Sequence, residues 1–151
     1  MTTIAANRKM MAADRKVTDE NGLRTAHKIV RVGDAIVGCA GTCSLTIAFL
    51  AYLEVMATCD HDEVAEKPRV GKEDSLSALI LTPLGLFVCD ESFESRRFST
   101  TSTRSGRERK PRSRRCISDC SPIEAIEIAC RVDPDTGGPI DVMGFGIAPG
   151  R

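Results

Sequence analysis

Lys28-Ile29-Val30-Arg31-Val32-Gly33-Asp34-Ala35-Ile36-Val37-Gly38-Cys39-Ala40-Gly41 is the stretch on which the fold turns. Two apolar runs, Lys28 to Val32 and Ala35 to Cys39, flank Gly33-Asp34, and that pattern predicts a β-hairpin. Gly38 to Gly41 reads as a small-residue turn. Ser44 can then cap a helix running to about Met56, with Leu45, Ala48, Phe49 and Tyr52 on one face. Toward the N-terminus, Thr3 to Ala6 and Met10 to Ala13 read as strands around Asn7-Arg8-Lys9. Toward the C-terminus, Ser77 to Thr82 and Gly85 to Asp90 form a third hairpin, bent at Pro83-Leu84. Ser121-Pro122-Ile123-Glu124 is a capping box with proline at the first helical position. Its helix should reach about Arg131, with Ile123, Ile126 and Cys130 inward. Asp133 to Pro139 reads as a rigid turn, and Ile140 to Met143 as a last strand. The expected class is α+β, two stacked antiparallel sheets between helical layers.

At 151 residues the chain is expected to be a single domain, residues 1–151, with an aliphatic core, since Trp is absent. No apolar run reaches the roughly 18 residues of a membrane span. Arg8, Lys9, Asp14 and Arg15 interrupt any signal-like stretch, so a cytoplasmic protein with no membrane partner is expected. Seven irregularly spaced cysteines argue for reduced thiols. Their spacing is not that of a zinc knuckle, and Cys59-Asp60-His61-Asp62-Glu63 reads as a solvated acidic turn, so neither metal nor cofactor is expected. The zero net charge conceals a split. From Arg96 to Arg115 nine Lys/Arg stand against Glu108 alone, while the remainder holds 12 Lys/Arg and 20 Asp/Glu.

Thr2 follows Met1. A threonine that becomes the first residue carries a free amine that can take the proton of its own hydroxyl, so one residue supplies nucleophile and base. Thr2-Thr3-Ile4, Ala12-Ala13-Asp14-Arg15-Lys16-Val17-Thr18, Lys28-Ile29-Val30-Arg31-Val32 and Gly38-Cys39-Ala40-Gly41 resemble, in order, the N-terminal half of a proteasome β-type subunit, including the related bacterial ring peptidase HslV. Asp133-Pro134-Asp135-Thr136-Gly137-Gly138 is similar to that family's Asp-x-x-Ser/Thr-Gly-Gly turn. The likeness covers about residues 2–54, 77–90 and 121–143.

The resemblance implies an N-terminal-nucleophile (Ntn) hydrolase, a four-layer αββα sandwich that cleaves peptide bonds through an acyl ester on Thr2. It implies Lys28 as a buried ammonium beside Thr2 and Asp14 as its counter-charge. Gly41 would supply an oxyanion N–H, and Asp133 and Thr136 would hold the terminal amine. It further implies peptide or unfolded-protein substrates, a homo-oligomeric ring and an ATP-driven unfoldase partner.

Residues 94–120 depart from the family. An arginine-serine run replaces a strand, a Gly-Ser/Thr-Gly turn and an alanine-rich helix, and its composition predicts disorder. Shifting plausible codons for 102–107 and 112–119 by two bases restores Tyr-Ala-Ile-Gly-Thr and Leu-Ala-Ala-Met-His-Leu-Gly. Part of the segment is therefore expected to be frame-shifted, which the coding DNA decides. Two other readings compete: an inactive structural or remnant subunit, and, less favoured, a nucleic-acid-binding protein using the basic run.

Overall fold

The computed structural model describes residues 2–19, 22–58, 66–98 and 120–146. Strands β1 (Ile4–Ala6) and β2 (Met10–Asp14) form an antiparallel hairpin. Asn7 closes it, its side-chain oxygen accepting the N–H groups of Lys9 at 2.8 Å and Met10 at 2.9 Å. A short polar side chain bonding the backbone ahead of it makes a three-residue turn sufficient here. Strand β10 (Ile140–Gly144) pairs along the other edge of β2, with Ile140 opposite Asp14. That pairing brings the C-terminal turn to the end of β2, where the site lies.

A five-stranded antiparallel sheet follows, in the order β5 (Ile29–Val32), β6 (Ala35–Gly41), β7 (Leu76–Thr82), β8 (Gly85–Asp90) and β9 (Ser95–Arg97). Met11 and Ala13 meet Ile29, Ile36 and Leu81 between this sheet and the first, and all five are inaccessible to solvent. The approach there is close: a Cβ added at Gly38 would stand 2.7 Å from Met11 Sδ and 3.0 Å from Ile4 Cγ2. On the opposite face, Leu45 and Phe49 of helix α1 (Cys43–Thr58) cover Val32, Val37, Cys39, Leu76, Ala78 and Cys89. Phe49 packs on Phe93 with ring centroids 5.7 Å apart. Helix α2 (Pro122–Val132) packs on β1, β2 and β10 and buries Pro122, Ala125 and Ile126. Its capping box is reciprocal, Ser121 N–H to Glu124 Oε2 at 2.7 Å and Glu124 N–H to Ser121 Oγ at 3.3 Å. The fold is thus α+β, with antiparallel sheets and two helices among the described residues. None of those helices is long and apolar enough to cross a membrane.

Three expectations need correction, and one hairpin was not expected. Gly38 to Gly41 is not a turn: β6 runs through it, because β7 supplies a ladder partner for every residue from Ile36 to Gly41. Ser44 does not precede the helix, which already begins at Cys43. The residue before it, Thr42, gives its carbonyl to Thr46 N–H at 2.9 Å, and its hydroxyl accepts Ser75 N–H at 3.1 Å. Strands β3 (Lys16–Asp19) and β4 (Gly22–Thr25) pair as a hairpin that the sequence pattern did not announce. Ser95 to Arg97, expected to be disordered, extends the sheet along β8. Backbone pairing at a sheet edge needs no apolar side chain, and these three stay exposed. Residues 99–119 and Cys59 to Glu63 lie outside the described residues.

Candidate active site

Asp14 ends β2 completely buried, and Lys28 stands just before β5 with its side chain 6% accessible. Their charges meet at 2.8 Å between Lys28 Nζ and Asp14 Oδ1. Burying either alone would be costly, so pairing and further hydrogen bonds are what make the site tenable. Asp14 Oδ1 also accepts the N–H of Thr3 at 3.0 Å, and Oδ2 accepts that of Gly137 at 3.3 Å. The Lys28 ammonium donates in addition to the carbonyl of Lys16 at 2.6 Å. Backbone groups from three segments therefore fix the pair.

The turn after α2 completes the arrangement. Asp133 caps the helix, its N–H on the carbonyl of Ala129 at 2.9 Å, and its Oδ2 accepts the Thr136 hydroxyl at 3.1 Å. Thr136 is buried, and its Oγ1 lies 2.7 Å from Thr3 Oγ1. Main-chain bonds from Lys16 N–H to Gly137 O and Arg15 N–H to Pro139 O, both 3.0 Å, dock the turn on the chain leaving β2. The Lys16 ammonium reaches the carbonyl of Pro134.

Of the six residues expected from sequence, the network joins Asp14, Lys28, Asp133 and Thr136 directly. Thr2 adjoins it through the peptide bond to Thr3. Gly41 ends β6 and lies outside these bonds, two residues beyond Cys39, whose N–H donates to the Lys28 carbonyl at 3.1 Å. At φ +144°, with Ser75 O only 2.0 Å from where a Cβ would stand, position 41 admits only glycine.

Three participants were missed: Thr3, Lys16 and Gly137. Thr3 gave a faint signal, as a second hydroxyl beside Thr2. Toward the Asp14–Lys28 pair, Lys16 contributes a carbonyl and Gly137 an N–H, which every residue type but proline in the latter case can offer, so residue identity could not mark those two bonds.

A charged cluster borders the site. His27 Nδ1 lies 2.8 Å from Asp141 Oδ2, and Arg15 Nη2 lies 3.3 Å from His27 Nε2. Arginine has no acceptor, so Nε2 accepts from it and the Nδ1 proton faces Asp141. On α2, the Cys130 thiol is pushed up, first by burial and then by the Asp14 charge, with Lys28 opposing. Among the described residues no group of three or more His, Cys, Asp or Glu is placed to hold a metal ion.

No protein-family model matches the chain, and no curated protein does. Among solved structures it is similar to Thiobacillus denitrificans BPH, at 17% identity over 99% of this chain and 100% of that one, with a TM-score of 0.59. It is also similar to Thiobacillus denitrificans BPH in complex with epoxomicin, at 20% identity over 98% of this chain and 99% of that one, with a TM-score of 0.51. At such identities the likeness establishes shared fold.

Proposed function

We propose that the chain is a proteasome-like threonine peptidase, an N-terminal-nucleophile hydrolase whose layers stack as an αββα sandwich. The stacking reading rests on α2 packed on β1, β2 and β10, on the core shared by the two sheets, and on α1 packed over the second sheet. One observation carries the chemistry: the buried Asp14–Lys28 pair is bonded through Asp14 Oδ1 to the N–H of Thr3, one residue from the proposed nucleophile. The likeness to a protein solved with epoxomicin, a proteasome inhibitor, supports the same reading.

Processing that removes Met1 frees the Thr2 amine. That amine takes the hydroxyl proton as Thr2 Oγ1 bonds to the substrate carbonyl carbon. Lys28 favours the developing alkoxide and the neutral amine electrostatically. Carbonyl electrons move onto oxygen, where the Gly41 N–H stabilises them. Collapse breaks the C–N bond, the leaving amine takes the proton, and an ester on Thr2 remains. A water, deprotonated by the same amine, attacks the ester and releases the carboxylic acid. By the same resemblance, the chain would form a homo-oligomeric ring in the cytoplasm, take peptides or unfolded proteins, and accept an ATP-dependent unfoldase.

Intact-mass measurement tests the reading. The chain should lack Met1, gain one adduct from a peptide bearing an electrophile, and lose that adduct in Thr2→Ala. Retained Met1, or an unmodified wild-type chain, would sink it. The inactive-subunit reading draws on the basic run 96–115, which stands where the family has core elements, and it predicts a folded chain with no adduct.

A further inference from the structure

The hydroxyl contact between Thr3 and Thr136 has a definite direction. Thr136 donates its one hydroxyl proton to Asp133 Oδ2 at 3.1 Å. The proton in the 2.7 Å contact between Thr3 Oγ1 and Thr136 Oγ1 therefore comes from Thr3. The chain of donation runs Thr3 to Thr136 to Asp133, ending on a carboxylate at the C-cap of α2. Thr3 makes a second bond, its N–H to Asp14 Oδ1 at 3.0 Å, and its carbonyl accepts the Asp14 N–H at 3.3 Å. One residue is thus tied by its main chain to the Asp14–Lys28 pair and by its side chain to the turn after α2.

We propose that Thr3 is a positioning residue: its hydroxyl, donating through Thr136 to Asp133, fixes the Thr2–Thr3 peptide between the Asp14–Lys28 pair and the 133–137 turn, so that Thr2 is presented in one orientation. The main-chain bonds hold Thr3 to Asp14 alone, and the side-chain bond adds a second anchor on the turn after α2. Because productive attack demands a narrow range of geometry, the loss falls on turnover and not on substrate binding. The kinetic part of this inference rests on the peptidase reading; the orientation of Thr2 does not.

The test uses the full chain, freed of Met1, as Thr3→Val, Thr3→Ser and Thr136→Val. Valine keeps the shape and removes the hydroxyl; serine keeps the hydroxyl. The first readout is a spectrum of 13C-methyl-labelled threonine, with the Thr2 peak identified by its disappearance in Thr2→Ser. Thr3→Val and Thr136→Val should move the Thr2 methyl toward its random-coil position, while Thr3→Ser leaves it near the wild-type one. An unmoved Thr2 methyl in Thr3→Val overturns the proposal. For an active chain, kcat should fall about fivefold in Thr3→Val with KM little changed, recover in Thr3→Ser, and fall no further when Thr136→Val is added. An equal rise in KM, or additive losses in the double variant, also overturns it. A wild-type chain with no adduct on Thr2 and no turnover ends the peptidase reading alone, and the methyl comparison still decides the role of Thr3.

Discussion

The two helices pack on different sheets and bury different chemistry. Beneath α1 lie Val32, Val37, Leu76, Ala78 and two thiols, sealed by Leu45 and Phe49. On the α2 side lie the buried polar side chains of Asp14 and Thr136, with the Lys28 ammonium paired to Asp14. Apolar burial is non-directional and tolerates small shifts. Buried polar groups keep their value only while every partner holds its place. Burial on the α1 side therefore stabilises without fixing direction, whereas the α2 side adds a fixed geometry and depends on the rest of the fold to maintain it.

Substitutions can break that division of labour, and the largest effect should come from Asp14→Ala. It strands the Lys28 ammonium in a buried site, which should destabilise the fold by about 3–5 kcal/mol in denaturant titrations and abolish adduct formation on Thr2. Phe49→Ala should cost a comparable or slightly smaller amount, about 3–4 kcal/mol, through the cavity it opens under α1. Its folded fraction should still form the adduct at the wild-type rate per molecule. If Phe49→Ala silenced the site as fully as Asp14→Ala, the contrast between the two helices' surroundings would fail.

Capping of α2 sharpens the comparison at a smaller scale. Ser121→Ala should cost about 1 kcal/mol. Hydrogen bonds from Ser121 hold the Glu124 carboxyl below its ordinary value of 4.5. A folded-state value below the unfolded one means that this contribution is present above about pH 4.5 and is lost as pH falls through the folded value. Acid titration of wild type against Glu124→Gln, which cannot titrate there, should show the two stability curves converging in that window.

The smallest effect concerns thiol chemistry. Burial, with Cys89 adding to it, pushes the Cys39 thiol up from 9.0 to about 12. A folded value above the unfolded one means that the protonated thiol favours the fold below about pH 9, an advantage that fades as pH climbs toward 12. Near pH 8 an aromatic disulfide reagent should label exposed Cys43 well before buried Cys39 and Cys89, which it should reach only on unfolding. Rapid labelling of Cys39 in the native protein would show that the α1 side is not sealed. Asp14→Asn, by removing one of the charges that raise Cys130, should speed labelling of that thiol modestly.

Much of this arrangement was legible beforehand, for identifiable reasons. The Gly33-Asp34 and Pro83-Leu84 hairpins and the Ser121–Glu124 cap are set by local chemistry within a few residues, and local chemistry is what a sequence displays. Asp14, Lys28, Asp133 and Thr136 were recognisable as chemical groups in a familiar order. What escaped was non-local. Gly38 to Gly41 looks like a turn until β7 provides its partner, and Ser95 to Arg97 becomes a strand only because β8 offers an open edge. The β3–β4 hairpin carries no clear alternation, and Gly22 with φ +108° was its one conformational marker.

The carbonyl of Lys16, 2.6 Å from the Lys28 ammonium, has a consequence of its own. Being a main-chain atom, it survives every point substitution at position 16 except those that displace the backbone. Drift in the codon for Lys16 thus leaves this ligand in place. A single residue inserted or deleted between Asp14 and Lys16 would turn a different carbonyl, or an N–H, toward the ammonium. For this one ligand the molecule is tolerant of spelling and intolerant of length, so comparison of homologous genes should find the spacing from Asp14 to position 16 kept even where the residue at 16 differs.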